Sequence, residues 1–222
     1  MSELDADRIA SAALAIATKR GVEGFSMRAV ADALGVTPMA LYHHVKDKAE
    51  LAALVVDAAI RNNPLPSSTG DWRNDLLAMA RWMRGSATTN RVVGQIRRTY
   101  NVWTPSMLSM TECWLSLWQQ SGLDFQNAVL AARMSSMAIT GLVAEEAVYR
   151  NLKLPAGATL TFLPNVRVMF EAAQNRDEEF ELVVRSLIDG LYARLTSNRN
   201  TSSRPTKSRR LRKAPPNKPR RK

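Results

Sequence analysis

The chain has 222 residues, 45% of them apolar and 23% charged, which is enough for one or two small domains with a real core. Its formal net charge is +11, but 11 of its 31 basic residues fall within residues 197–222, where there is no acid. The other 20 face 20 acids, so the body is neutral and the charge does not argue for a basic DNA-binding face.

Cys113 is the only cysteine, so no intrachain disulfide can form. There is no unbroken run of about 18 apolar residues, and MSELDADRIA lacks the basic-then-apolar order of a leader. A cytoplasmic protein without a membrane span is expected. Asp5 stands where a first helix would be capped, and Ile9, Ala12, Ala13, Ile16 and Ala17 repeat at helical spacing until Gly21. Ser26 opens a second helix with Val30, Ala31 and Leu34 inward and Gly35 at its end. Thr37 caps a short third helix, about Pro38 to His44, with proline at the first position, where its missing N–H has no partner to lose. Asp47 caps a fourth helix to about Asn62, and Glu50 completes a capping box. Two short helices around a glycine-containing turn, over residues 26–48, make the pattern of a helix-turn-helix.

NPLPSSTGD, residues 63–71, is a cluster of breakers. After it the periodicity predicts helices only, near 71–88, 91–99, 105–121, 124–153, 164–175 and 177–196. From Ser197 the chain is polar, basic and proline-rich, which predicts a disordered tail over 197–222. The expected fold class is all-α. It comprises a three-helix helix-turn-helix domain over 1–48, a connecting helix to about 62, and a larger helical domain over 63–196, to which the resemblance described below assigns ligand binding and dimerisation.

A seven-residue third helix is about 10 Å long and fits within a major groove about 12 Å wide. Ala40, Leu41 and Val45 would face the core, leaving Thr37, Met39, Tyr42, His43 and His44 outward. Tyr42 and His44 suit phosphates, whereas Thr37, Met39 and His43 suit base edges or a thymine methyl. Arg28 could reach a guanine or a phosphate. Lys46 and Lys48 flank the start of the fourth helix, where their charge and the helix dipole both favour a phosphate. The adjacent histidines point about 100° apart on a helix and have no third ligand at zinc spacing, so no metal is expected. The plain alternative is a helical bundle with an ordinary polar surface.

RIASAALAIATKRGVEGFSMRAVADALGVTPMALYHHVKDKAEL resembles the N-terminal domain of the TetR family of transcriptional repressors. The resemblance lies in the Gly21–Gly24 turn, Met27-Arg28, Ala31…Leu34-Gly35-Val36 and Leu41-Tyr42…His44-Val45-Lys46…Lys48, and covers about residues 4–60. It implies that Arg28, Thr37, Pro38, Met39, Ala40, Tyr42, His43, His44 and Lys48 fall where the family contacts operator DNA. Met39 and His43 differ from the tetracycline repressor, which implies a different operator. The resemblance also implies that later helices bind a small effector and dimerise.

The second half supports both roles. Trp72, Trp82, Trp103, Trp114 and Trp118 all lie between residues 72 and 118, among many methionines. Aromatics and adaptable methionines suit an apolar pocket. The side chains expected to form it are Trp82, Met83, Ser86, Tyr100, Trp103, Thr104, Met107, Trp114, Trp118, Met134 and Met137, with Arg97, Asn101 and Gln119 as further anchors. Plain core packing is the alternative for each of them. WTPSMLSMTECWLSLWQQSGLDFQNAVLAARMSSMAITGLVAEE resembles the tetracycline-repressor branch, which chelates a drug-bound magnesium through a histidine. Here Tyr100 matches that position and Glu145 matches the acidic partner. An uncharged, largely apolar or aromatic effector is therefore expected, with no cofactor.

Phe180, Val184, Leu187, Ile188, Leu191 and Leu195 form an apolar stripe on the last helix. Ala128, Ala131, Ala132, Ser135, Ala138 and Gly141 form a small-residue face on the long one. Together they predict a four-helix homodimer interface, and a two-fold dimer reads a palindrome. No GxSxG, HExxH or P-loop is present, so no enzyme is expected. The expected function is a ligand-responsive transcriptional repressor that binds a palindromic double-stranded DNA operator as a homodimer and is released by a small effector. The alternatives are a helical protein–protein adaptor and a DNA-binding protein without ligand control.

Overall fold

The computed structural model describes residues 4–149, 162–172 and 175–202. Among these, every regular element is helical: α1 (Ala6–Arg20), α2 (Met27–Leu34), α3 (Pro38–Tyr42), α4 (Lys48–Arg61), α5 (Trp72–Thr89), α6 (Arg91–Tyr100), α7 (Pro105–Gln120), α8 (Phe125–Tyr149), α9 (Pro164–Ala172) and α10 (Arg176–Ser202). A 3-10 turn, Val22–Gly24, joins α1 to α2.

Local chemistry fixes most of the helix starts. Asp5, Ser26, Thr37, Asp47, Asp71 and Thr104 each accept at least one N–H from the first turn that follows, which satisfies donors that a helix start leaves orphaned. At α4 the Glu50 side chain reaches back one residue beyond the cap, to the Lys46 N–H, rather than to Asp47 itself. Asp47 accepts from Ala49 and Glu50 at 2.8 Å, and Glu50 accepts the Lys46 N–H at 2.7 Å. Gly35 ends α2 in the left-handed conformation, at φ 68°, and makes the turn into α3 possible. α3 stops at Tyr42, so His43 and His44 lie in the turn behind it. α10 continues through Ser202, so the first residues of the expected tail are helical. Its remainder, residues 203–222, lies outside the described residues.

Two apolar cores organise the chain. The first gathers Ile9, Ala13, Phe25, Val30, Leu41 and Val55, and is completed by Ile96, Val102 and Met107 from beyond the breaker segment. Packing therefore does not divide where the sequence does, because α6 and the start of α7 lie on the N-terminal core. The second core gathers Leu76, Leu77, Trp114, Trp118, Ala131 and Val184. Ser135 sits fully buried within it. Its hydroxyl accepts the Trp114 and Trp118 indole N–H groups at 3.1 and 3.0 Å and donates to the Ala131 carbonyl at 2.6 Å. The breaker segment is tied down by Asp75, only 3% exposed, which accepts from the Ser68 hydroxyl and from both the Thr69 hydroxyl and N–H.

Most of the stripes assigned to a dimer interface face inward, whereas Ala138 and Gly141 are exposed. Phe180, Val184, Ile188 and Leu195 of α10 and Ala128, Ala131, Ala132 and Ser135 of α8 are buried within one chain. The opposite faces, Leu130, Met134 and Met137 of α8 and Leu182 and Val183 of α10, are exposed. One helix stands out by composition. Phe125–Glu146 is long and apolar enough by composition to cross a membrane. Arg133 and scattered small polar residues break the unbroken run without lowering the average below that level. Its inner face belongs to the second core.

Candidate functional site

Burial of Leu41 and Val45 sets the roll of α3 and its following turn, so that the remaining side chains point to solvent. Met39 is 69% exposed and Tyr42 47%, large side chains displayed on a five-residue helix. Arg28, Thr37, Pro38, His43, His44 and Lys46 are exposed too, and Ala40 is half-buried. Thr37 also holds the helix start, accepting the Ala40 N–H at 3.2 Å. Lys48 differs from the others. It is half-buried, with its ammonium 5.4 Å from the centre of the Tyr100 ring and 5.9 Å from that of Phe25. Its charge is thus turned toward α6, in cation–π contact.

A cavity of about 650 Å³ opens between α4, α5, α6, α7 and α8, a size that suits a small molecule. Val56 and Ile60 of α4, Met83 of α5, Met107 and Met110 of α7 and Val143 of α8 supply apolar wall. Trp82 and Trp103 add ring surface; Asn90, Gln95, Thr111 and Thr140 add hydrogen-bonding groups. Val56 and Met107 are shared walls, since they also belong to the N-terminal core. The Trp82 indole N–H is buried and has no hydrogen-bond partner among the described residues.

Arg84 lines the cavity and ties three helices together. Its guanidinium donates from Nε to Glu146 at 2.7 Å, from Nη2 to the other Glu146 oxygen, and from Nη1 to Asp177 at 2.7 Å. The Glu146 hydrogen bonds push its pKa above even the usual arginine range, so the cation is permanent. Burial first, then the Asp75 charge, push the Cys113 thiol up, which disfavours its thiolate. Among the described residues, no three His, Cys, Asp or Glu side chains gather to hold a metal ion.

Of the side chains expected in a pocket, Trp82, Met83, Ser86, Trp103 and Met107 line this cavity, as does Arg97. Tyr100 does not; it packs on Phe25 with ring centres 5.8 Å apart. Thr104 is buried as the cap of α7. Trp114 and Trp118 are spent on the second core and Ser135. Met134 and Met137 stand on the exposed face of α8. Asn101 closes α6 at φ 47°, and Gln119 and Glu145 are exposed. Sequence reasoning missed Arg84, Arg91, Gln95, Arg98 and Glu146. A signal was there for Arg91, Gln95 and Arg98, which repeat at helical spacing on one face of α6.

Comparison with known proteins adds sequence to geometry. Residues 9–55 match the model of bacterial regulatory proteins of the tetR family, and residues 63–195 match the tetracyclin repressor-like C-terminal domain. The chain belongs to the TetR family. The HTH-type transcriptional repressor DrrR1 of Streptomyces coeruleorubidus is 32% identical over 70% of this chain, and the match spans 58% of DrrR1. The class A tetracycline repressor from transposon 1721 of Escherichia coli is 27% identical over 90% of this chain and 96% of its own. Apo ActR from Streptomyces coelicolor superposes with a TM-score of 0.71 at 26% identity, covering 89% of this chain and 99% of ActR. The ActR complex with actinorhodin gives 0.71 at 25%, covering 89% and 100%. In this TetR-family chain the two matched regions meet between residues 55 and 63, at the end of α4. α6 therefore lies in the C-terminal match while Ile96 packs in the N-terminal core.

Proposed function

We propose that this TetR-family chain is a ligand-responsive transcriptional repressor of the cytoplasm. It binds a palindromic operator as a homodimer and leaves it when a small molecule fills the cavity. The observation that carries the reading is the position of α6. Gly94, Gln95, Arg97 and Arg98 line the cavity, while Ile96 is fully buried in the core of the DNA-reading unit. A ligand that prefers one placement of α6 then prefers one placement of α4 and of the short helices before it. The coupling can be no larger than the ligand's own preference between the two states. The solved complex of ActR with actinorhodin supports a small-molecule effector in this fold.

On the DNA side, Arg28, Thr37, Pro38, Met39, Ala40, Tyr42, His43, His44 and Lys46 would face the operator, and Lys48 would hold the start of α4 against α6. The exposed faces of α8 and α10 would form the two-fold interface. At Gly141 and Gly190 an added methyl would meet nothing within the chain, which leaves room for a close neighbour. A tetracycline–magnesium effector does not fit these residues: Tyr100 packs away from the cavity, and neither histidine lines it. A gel-shift assay on DNA upstream of the chain's own gene, at moderate salt, tests the reading. A retarded complex that scrambled DNA does not compete away is expected. Equal competition by scrambled DNA would remove it.

A further inference from the structure

Charge on the cavity wall is lopsided. Arg84, Arg91, Arg97, Arg98 and Glu146 line it, and Arg84 and Glu146 neutralise each other. Arg91, Arg97 and Arg98 remain, all on α6, with no ion pair among the described residues. Arg97 is half-buried, and Arg91 and Arg98 stand at the mouth. The Arg98 guanidinium folds back along the helix, to 3.5 Å from where a Cβ on Gly94 would stand, and so lies on the cavity side. Three guanidinium groups on one short helix repel one another, and an anion among them relieves that repulsion. Arginine matches the oxygens of an acid through its planar fork of donors. Beneath them the wall is apolar, which strengthens charge pairing relative to open water.

We propose that the effector is an acidic aromatic amphiphile. Its anionic group meets Arg91 and Arg98, which share one face of α6, while Arg97 adds charge from the neighbouring face, and its ring system lies on Trp82, Met83 and Met107. This replaces the uncharged molecule expected from sequence. It rests on the reading of the cavity as the effector site, and it places the ligand's charge on the helix that bears on the DNA-reading core.

Two fluorescent probes with the same skeleton test it: anilinonaphthalene sulfonate, which is anionic, and N-phenylnaphthylamine, which is neutral. Each is titrated into the full-length protein, into the triple variant Arg91→Gln, Arg97→Gln, Arg98→Gln, and into Thr140→Trp, which fills the cavity from α8. Circular dichroism checks that each variant is folded. The sulfonate should bind at least about tenfold more tightly than the neutral probe. The triple variant should abolish that preference without weakening the neutral probe, and Thr140→Trp should weaken both. Equal affinities in the parent protein, or a preference that survives the triple variant, would overturn the acidic ligand and leave the effector cavity standing. Affinities unchanged by Thr140→Trp would remove the cavity as a binding site, and both readings with it.

Discussion

At Ser135 one hydroxyl serves two tryptophans, accepting from both indoles while donating to a backbone carbonyl. Ser135→Ala would leave the Trp118 N–H without that partner, whereas Trp114 keeps the Ala132 carbonyl at 3.1 Å. The expected loss is about 1–3 kcal/mol in urea unfolding, the usual cost of one orphaned buried donor; an unchanged midpoint would show that the indole finds another acceptor. Asp75 makes a pH prediction. Burial pushes its carboxyl up, but the Ser68 and Thr69 side chains and the Thr69 and Gly70 backbone outweigh that and hold it below the usual carboxylate range. A carboxyl lowered in the folded state contributes stability above its unfolded pKa, and that stability is lost as pH falls through the folded value. Asp75→Asn should therefore flatten the acid limb of stability against pH, from about pH 4 downward. A limb as steep as the parent's would assign acid sensitivity to other groups. These partners explain what sequence could not show. Trp114 and Trp118 were legible as an apolar pair, but Ser135 lies on another helix, so the pair could not be assigned to core rather than pocket.

Among the helices, the starts were the most legible feature, because Asp5, Ser26, Thr37 and Asp47 act on their own first turns. Which way a helix faces was less so. An apolar stripe shows that something covers it, without saying whether the cover is the same chain or another. α10 is apolar on both sides: Phe180, Val184 and Ile188 face the core and Leu182 and Val183 face out. The outer faces carry the dimer prediction. Met137→Glu, at a position 67% exposed, should leave helix content unchanged while shifting the protein to monomer in sedimentation and weakening operator binding. A stable dimer would place the interface elsewhere. On α2 and α3, Arg28→Ala and Tyr42→Ala should each cost about 1–3 kcal/mol of specific DNA binding, with little change in stability. Loss of stability together with binding would make these residues structural.

At the scale of the whole molecule, the charge census matters as much as any single interaction. With a neutral body, specificity in the proposed repressor would rest on a few placed side chains, presented twice by the proposed dimer, while the surplus charge sits at the far end of the sequence. Removing residues 203–222 should make the salt dependence of DNA affinity shallower, by about 0.9 in the log–log slope for each phosphate that the tail neutralises, and leave the preferred sequence unchanged. An unchanged slope would take the tail out of DNA binding. The proposed path from cavity to DNA was invisible in sequence because α6 follows the breaker segment yet packs on the core before it. Selection from a random double-stranded DNA library by the purified protein tests the central claim most directly. Enrichment of a two-fold-symmetric site by the parent protein, and not by Tyr42→Ala, is the predicted result. A pool that stays random, or one enriched equally by both proteins, would contradict it.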